Sequence, residues 1–365
     1  MSIIIFIIIL AILILVHEFG HFIVAKKSGI RVDEFGLGFP PKLWSKKFGE
    51  TLYTLNAIPF GGFVKIFGED PHAETISEVD KPTSFYYKPK WIQALVLVAG
   101  VSFNIIFAWL VISLGFMIGL PTPAEYAGLG HVTDTHLVVT EILPNSPADK
   151  AGIKSGDELT AISAGGNLLN YPSLSVESVK KFINGSDKPI EVQYKRGDNF
   201  LGHSVIKPTD NIVSGRRVIG IAMESIGVLK LPPHLALLEG ARTTWVIIKG
   251  TTVGLGKFLW DAVRLKSDFS QISGPVGIAS VVGQAQSLGF VYLLTLVALI
   301  SINLAVINLL PFPALDGGRL LFIGIEAVIR RPIAPAFVRW SNTVGFALLI
   351  ILMLVVTGHD IFKLL

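Results

Sequence analysis

From Ile3 to Val16 every residue is Ile, Phe, Leu, Ala or Val, and the apolar run continues to Ala25. About 20 such residues cross a hydrocarbon core as a helix. Within lipid a helix satisfies its own backbone polar groups, which an irregular chain cannot do. Three further runs have this character: Ile92–Leu120, Leu288–Leu310 (where prolines interrupt it) and Ala334–Val356. The expected architecture is a polytopic α-helical membrane protein with four transmembrane helices. Composition agrees. Only 16% of the 365 residues are charged, against about a quarter in soluble domains, and the deficit sits in these runs. The middle of the chain has an ordinary soluble composition and reads as one inserted extramembrane domain. No Lys or Arg precedes Ile3, so the first run lacks the basic lead of a cleaved signal and is expected to be retained. A weaker stretch, Leu235–Val263, is interrupted by Glu239, Arg242, Lys249 and Lys257. It reads as an amphipathic helix lying at the interface, with a fifth span as the alternative.

A net charge of +4 without a Lys/Arg cluster argues against a nucleic-acid partner. The chain has no cysteine, so any transition metal must be held by His, Asp or Glu. The connection Lys26–Lys90 is rich in Lys, and Arg330 and Arg331 lie between the third and fourth runs. Both loops are expected on the cytoplasmic side of the membrane, which puts the N-terminus and the insertion outside. In the Lys26–Lys90 connection, Glu50–Asn56 and Gly62–Phe67 alternate as strands do, punctuated by Gly36, Gly38, Pro40, Pro41, Pro59, Gly61 and Gly62. A small membrane-associated sheet with hairpins is expected there; a plain loop with some strand content is the alternative. The insertion, 124–228, carries strand-like runs and one helix near Val176–Ile183. The remaining segments follow: 1–25 and 91–120 as the first two spans, 229–287 as an interfacial linker, 288–328 as a third span with a broken end, and 332–358 as the fourth.

The first apolar run ends in His17-Glu-Phe-Gly-His21. Two His at i and i+4 project from one helix face and can share a zinc ion, and the Glu between them can deprotonate an attacking water. Ionisable groups in a membrane helix are costly and mark function. A pair of interfacial His at the end of a span is the bland alternative, and it does not explain ligand spacing around a Glu.

A zinc hydrolase needs a third protein ligand and an open position. Asp316 stands in Asn308-Leu-Leu-Pro-Phe-Pro-Ala-Leu-Asp-Gly-Gly318, where Pro311 and Pro313 break a helix at membrane depth. On spacing alone, Asp316 is either a ligand or the cap of the next helix. Asn308 is a candidate to steady an oxyanion or substrate backbone. Asn303, in the same run, fits interhelical hydrogen bonding better. His72, His131, His136, His203 and His359 read as surface residues, and Glu326 faces either the bundle interior or the interface.

Together these residues resemble the site-2 protease family of intramembrane zinc metalloproteases, most closely its bacterial regulator-of-sigma-E-protease branch. The resemblance runs from His17–His21 through Gly61-Gly-Phe-Val-Lys65, Phe67-Gly-Glu69 and Ser273-Gly-Pro-Val-Gly-Ile-Ala279 to Asn308–Gly317. It implies that His17, His21 and Asp316 bind zinc, that Glu18 is the catalytic base, and that Asn308 holds substrate or oxyanion. It also implies that about Ile30–Phe67 dips into the membrane and offers substrate a strand edge. Ser146-Pro-Ala-x-x-Ala-Gly-Ile-x-x-Gly-Asp-Glu-Leu159 looks like a bacterial PDZ domain, an α+β module that adds a peptide or C-terminus to a sheet edge. Close members often carry two such domains in tandem, whereas this insertion has room for one, and Ile162-Ser-Ala-Gly-Gly166 departs from the usual turn. The partners implied are membrane lipid, a peptide or C-terminus at the PDZ domain, and single-span transmembrane substrates already trimmed by another protease. The rivals are a membrane-tethered PDZ scaffold with a structural zinc closed by four protein ligands, and a zinc transporter.

Overall fold

The computed structural model describes residues 2–69, 76–197, 200–213, 216–264, 266 and 274–364. The chain forms two compact units. One comprises Met1–Ile112, Gly240–Gln284 and Thr295–Leu365; the other comprises Ser113–Glu239 and Ala285–Leu294.

The first unit opens with helix α1 (Ser2–Lys27), which carries the His-Glu-Phe-Gly-His motif on its last turns. Two long strands follow, β1 (Val32–Phe48) and β2 (Thr51–Ile66). They are joined by the two-residue turn Gly49–Glu50, where Gly49 takes the positive φ of 59° that such turns demand. β1 and β2 pair antiparallel with repeated register shifts. Glu34–Leu37 therefore lies between Gly62–Lys65 on one side and Leu52–Leu55 on the other, while Trp44–Phe48 pairs with Thr51–Leu55. The expected small sheet is present, folded from two strands that bend back on themselves. Helix α2 (Lys90–Ile118) has 29 residues, about 43 Å at 1.5 Å per residue, enough to cross a hydrocarbon core about 30 Å thick. Ala25, Ile30, Val32, Ile66, Phe85, Val96, Leu97 and Ile323 form a buried cluster that locks α1, the sheet and α2 together.

The second unit contains β3 (Leu120–Pro123), β4 (Thr133–Ile142), the single turn α3 (Pro147–Lys150), β5 (Glu158–Ala164), β6 (Asn167–Asn170), α4 (Val176–Asn184), β7 (Ile190–Arg196), β8 (Phe200–Ile206), β9 (Thr209–Val213), β10 (Arg216–Val218) and β11 (Ile221–Leu229). The main sheet runs β3-β11-β4-β5-β7-β8, with β6 paired to β5. Alternation sets the inner face of β7, where Ile190, Val192 and Tyr194 are buried; in β5 a register shift after Leu159 lets both Leu159 and Ile162 enter the same core. Helix α4 contributes Val179 and Ile183 to the same core. It begins in a capping box between Ser175 and Ser178, and Ser146 caps α3.

The 31-residue helix α5 (Pro233–Val263) follows, then α6 (Pro275–Leu288), α7 (Phe290–Asn308), α8 (Asp316–Ile329) and α9 (Pro335–Leu364). Among the described residues, four helices are long and apolar enough to cross a membrane: α1, α2, α7 and Pro335–Phe362 of α9. α5 is not among them. Side-chain hydrogen bonding ties these helices together: Thr251 of α5 donates to Asn303 Oδ1 of α7 at 3.1 Å, the interhelical role expected of Asn303. His72 and Ser273 lie outside the described residues.

Candidate metal centre

The helical period puts His17 and His21 on one face of α1, one turn apart, with both side chains buried. Asp316 reaches them from the first position of α8. The chain between α7 and α8 carries Pro311 and Pro313, which cannot continue α7, and Ala314 turns it with a φ of 73°. α8 then packs against this turn, where a Cβ at Gly317 or Gly318 would collide with the carbonyls of Leu310 and Phe312. The cap position of α8 is Leu315, with no side-chain cap bond. The capping alternative for Asp316 is thus overturned: its carboxylate points across to α1 instead of back to its own helix.

Three donor atoms converge. His17 Nε2 lies 3.0 Å from Asp316 Oδ2, His21 Nε2 lies 3.3 Å from the same oxygen, and the two Nε2 atoms are 3.2 Å apart. Zinc bound at 2.0–2.1 Å by a tetrahedral set has ligand atoms about 3.3 Å apart, so the triangle matches one face of such a site. Asp316 Oδ2 is buried and makes no hydrogen bond of good geometry, although it is within ion-pair distance of both rings. Lone pairs pointed at a common centre explain both facts. His21 Nδ1 is 2.8 Å from the Val96 carbonyl; a carbonyl can only accept, so Nδ1 carries the proton and Nε2 is free to ligate. Among the described residues this is the one group of three or more His, Asp or Glu side chains arranged to hold a metal, and it has three members. A fourth protein ligand, which the structural-zinc rival requires, is not part of it.

A cavity of about 250 Å³ opens on the triangle, lined by His17, Glu18, Asn104, Leu304, Asn308 and Asp316 among others. Glu18 runs beside β2: a Cβ at Gly62 would sit 3.6 Å from its Cγ. Asn308 ends α7 with its Nδ2 3.5 Å from His17 Nε2. Of the five residues singled out in the sequence, His17, Glu18, Asn308 and Asp316 therefore line one cavity, and His21 joins them through its contacts with His17 and Asp316.

Sequence reasoning passed over one face of α2. Val96, Gly100 and Asn104 recur every four residues and all meet the two rings. Val96 accepts from His21. A Cβ on Gly100 would overlap the His21 ring and lie 2.8 Å from His17 Cε1. Asn104, fully buried, brings its Nδ2 to 3.4 Å from His17 Nδ1. A polar amide inside an otherwise apolar run was the available signal for Asn104; Val96 and Gly100 carry none. Two further contacts steady α8. Arg319 pairs with Glu69, and Glu326 pairs with Lys90 at 2.6 Å while accepting from the Ile333 N–H at 3.0 Å. Glu326 is thus an inward anchor. His136 lies 2.8 Å from Glu158 and His203 3.5 Å from Glu191, both largely exposed. His359, expected at the surface, is only partly exposed, and its Nε2 is sealed without a hydrogen-bond partner.

Comparison with known proteins agrees with this chemistry. Peptidase family M50 matches residues 5–352. A "putative zinc metalloprotease" of Clostridium perfringens is 38% identical over 354 residues, covering 96% of this chain and 95% of its own length. The regulator of sigma-W protease RasP of Bacillus subtilis is 30% identical over 443 residues, covering 100% of this chain and 99% of its own. The zinc metalloprotease RasP of Geobacillus kaustophilus is 30% identical over 441 residues, at 99% and 98% coverage.

Proposed function

This chain belongs to peptidase family M50, the site-2 protease family, and is a zinc metalloprotease with membrane-spanning helices; from that premise we propose that it cleaves peptide bonds within or beside the transmembrane segment of single-span membrane proteins. The observation that carries the reading is the donor triangle of 3.0–3.3 Å with Glu18 in the same cavity. Its helix α1 is long and apolar enough to cross a membrane.

In this reading His17, His21 and Asp316 hold the zinc. A bound zinc ion supplies a Lewis acid and an activated water at neutral pH. Glu18 takes the proton from the attacking water and later delivers it to the leaving amine nitrogen. Asn308 donates an N–H to the carbonyl oxygen as negative charge grows on it. A helical substrate hides its scissile carbonyls in intrahelical bonds. Gly62–Lys65 pairs with Glu34–Leu37 on one side, and its other edge is the natural place for an unwound substrate to recover those bonds. Gly62 lies next to Glu18, which would bring a substrate paired there close to the base.

The insertion, 124–228, acts in this reading as a PDZ domain that binds a peptide or C-terminus and selects substrates already trimmed by another protease. Its seven-stranded sheet with two short helices supports an α+β module of that kind. The Lys-rich loop 26–90 faces the cytoplasm, and the N-terminus and the insertion face outward. The segment 229–287 lies at the interface, with α5 as its amphipathic part. The substrate class in this reading is an anti-sigma factor or a remnant signal peptide; a relative named as a regulator of sigma-W protease is in keeping with the first.

The test is cleavage of a tagged single-span substrate in liposomes by wild type and Glu18→Gln, with zinc measured in both. Cleavage by wild type alone, at equal zinc content, is expected. Cleavage by both at equal rates removes Glu18 from the mechanism.

A further inference from the structure

Asn104 does not fit the site as an ordinary buried amide. It is completely sequestered in α2. Its nitrogen end faces His17 Nδ1 at 3.4 Å, and its oxygen end has no hydrogen-bond partner. His17 Nε2, on the other side of the ring, is the atom 3.0 Å from Asp316 Oδ2. An imidazole that gives its Nε2 lone pair to a metal keeps its proton on Nδ1. An amide N–H facing that Nδ1–H would be donor against donor. The two ends of an Asn amide have nearly the same shape, so a half-turn about χ2 brings the carbonyl oxygen to His17 Nδ1.

We propose that Asn104 is a positioning residue of the zinc site: its side-chain oxygen accepts the His17 Nδ1 proton, fixing the ring's tautomer and aiming Nε2 at the metal. This rests on the zinc reading above. It gives α2 one job repeated along one face. The Val96 carbonyl holds His21 Nδ1 at 2.8 Å, Asn104 holds His17 Nδ1 in the same way one turn earlier in α1, and Gly100, between them, leaves room for both rings. The Asn104 backbone is itself fixed, because Ser301 Oγ of α7 donates to its carbonyl at 2.9 Å. α2 and α7 are thereby tied at the level of the ligands.

The experiment measures zinc affinity by chelator competition, and cleavage beside it, on monodisperse detergent-purified full-length protein. Asn104→Asp retains an acceptor and removes every donor; Asn104→Leu removes both at similar volume. If Asn104 accepts from His17, the Asp variant binds zinc at least as tightly as wild type. The Leu variant then binds about 10- to 100-fold more weakly, the loss typical of a ligand's outer partner. Asn303→Leu, which breaks the bond to Thr251 away from the metal, controls for general loosening of the bundle and keeps its zinc affinity. A weakened Asp variant, or a Leu variant that binds zinc as wild type does, overturns the proposal. Failure of the zinc reading looks different: wild type itself then shows no competition with the chelator.

Discussion

His21 donates a hydrogen bond from its Nδ1–H to the carbonyl of Val96, 75 residues further along the chain, at 2.8 Å. A backbone carbonyl on a membrane helix is normally committed to its own helix, but it has a second lone pair, and here that lone pair orients a ligand. The bond sets which nitrogen of His21 faces Asp316. It makes α2 part of the metal centre although α2 supplies none of the three donor atoms.

Gly100 should break the usual rule for helix glycines. Gly→Ala in a helix interior ordinarily stabilises by about 0.5–1 kcal/mol. At position 100 the new methyl would overlap the His21 ring and stand 2.8 Å from His17 Cε1. Gly100→Ala is therefore expected to lower zinc content and to lower, not raise, the melting temperature of the zinc-loaded protein. A rise with zinc retained would show that the rings have room to move.

Stripping the metal should destabilise wild type and leave a ligand variant indifferent. A ligand at a hundred times its Kd stabilises the folded state by about 2.7 kcal/mol. Thermal unfolding with and without a strong chelator is expected to differ for wild type and to coincide for Asp316→Ala. A zinc-dependent shift that survives in Asp316→Ala would take Asp316 out of the ligand set.

Asn308 and Glu18 should separate from the ligands by their zinc content. Asn308→Ala is expected to bind zinc as wild type does and to lose about 10²- to 10³-fold in kcat, the range for one oxyanion donor. The KM should change little. A loss confined to KM would assign Asn308 to ground-state substrate binding.

In the second unit, Asp157 is fully buried and held by Arg196 through both oxygens, Nε–Oδ1 at 2.6 Å and Nη2–Oδ2 at 2.7 Å. It also accepts the Lys154 N–H at 2.7 Å. Removing the guanidinium strands a buried carboxylate, which costs about 3–5 kcal/mol for a wholly buried pair. Arg196 is partly exposed, so water can take over some of its role, and Arg196→Met is expected to cost about 2 kcal/mol by that reckoning. Limited proteolysis of the full chain should report it as faster cutting between residues 124 and 228 at unchanged zinc content. Unchanged proteolysis would mean that water already screens Asp157.

The sequence alone was sufficient for everything that depends on local period and composition. Four apolar helices follow from runs that lipid tolerates only as helix. His17 and His21 share a face because 3.6 residues make a turn, and that spacing needs no tertiary information. The strands of β1 and β2 are legible from alternation, but not their double pairing, which depends on where register shifts let Glu34–Leu37 meet two partners. Asp316 shows the limit most clearly. Spacing left it between ligand and helix cap, since a short carboxylate at the start of a helix serves either end. Only the packing of α8 on the Pro311–Leu315 turn decides that it faces α1 and that Leu315 takes the cap position. The α2 face is beyond sequence reading for a different reason. A carbonyl oxygen and a missing Cβ have no signature in residue type, and Val96 and Gly100 acquire their roles only when α2 is laid against α1 at ring-contact distance.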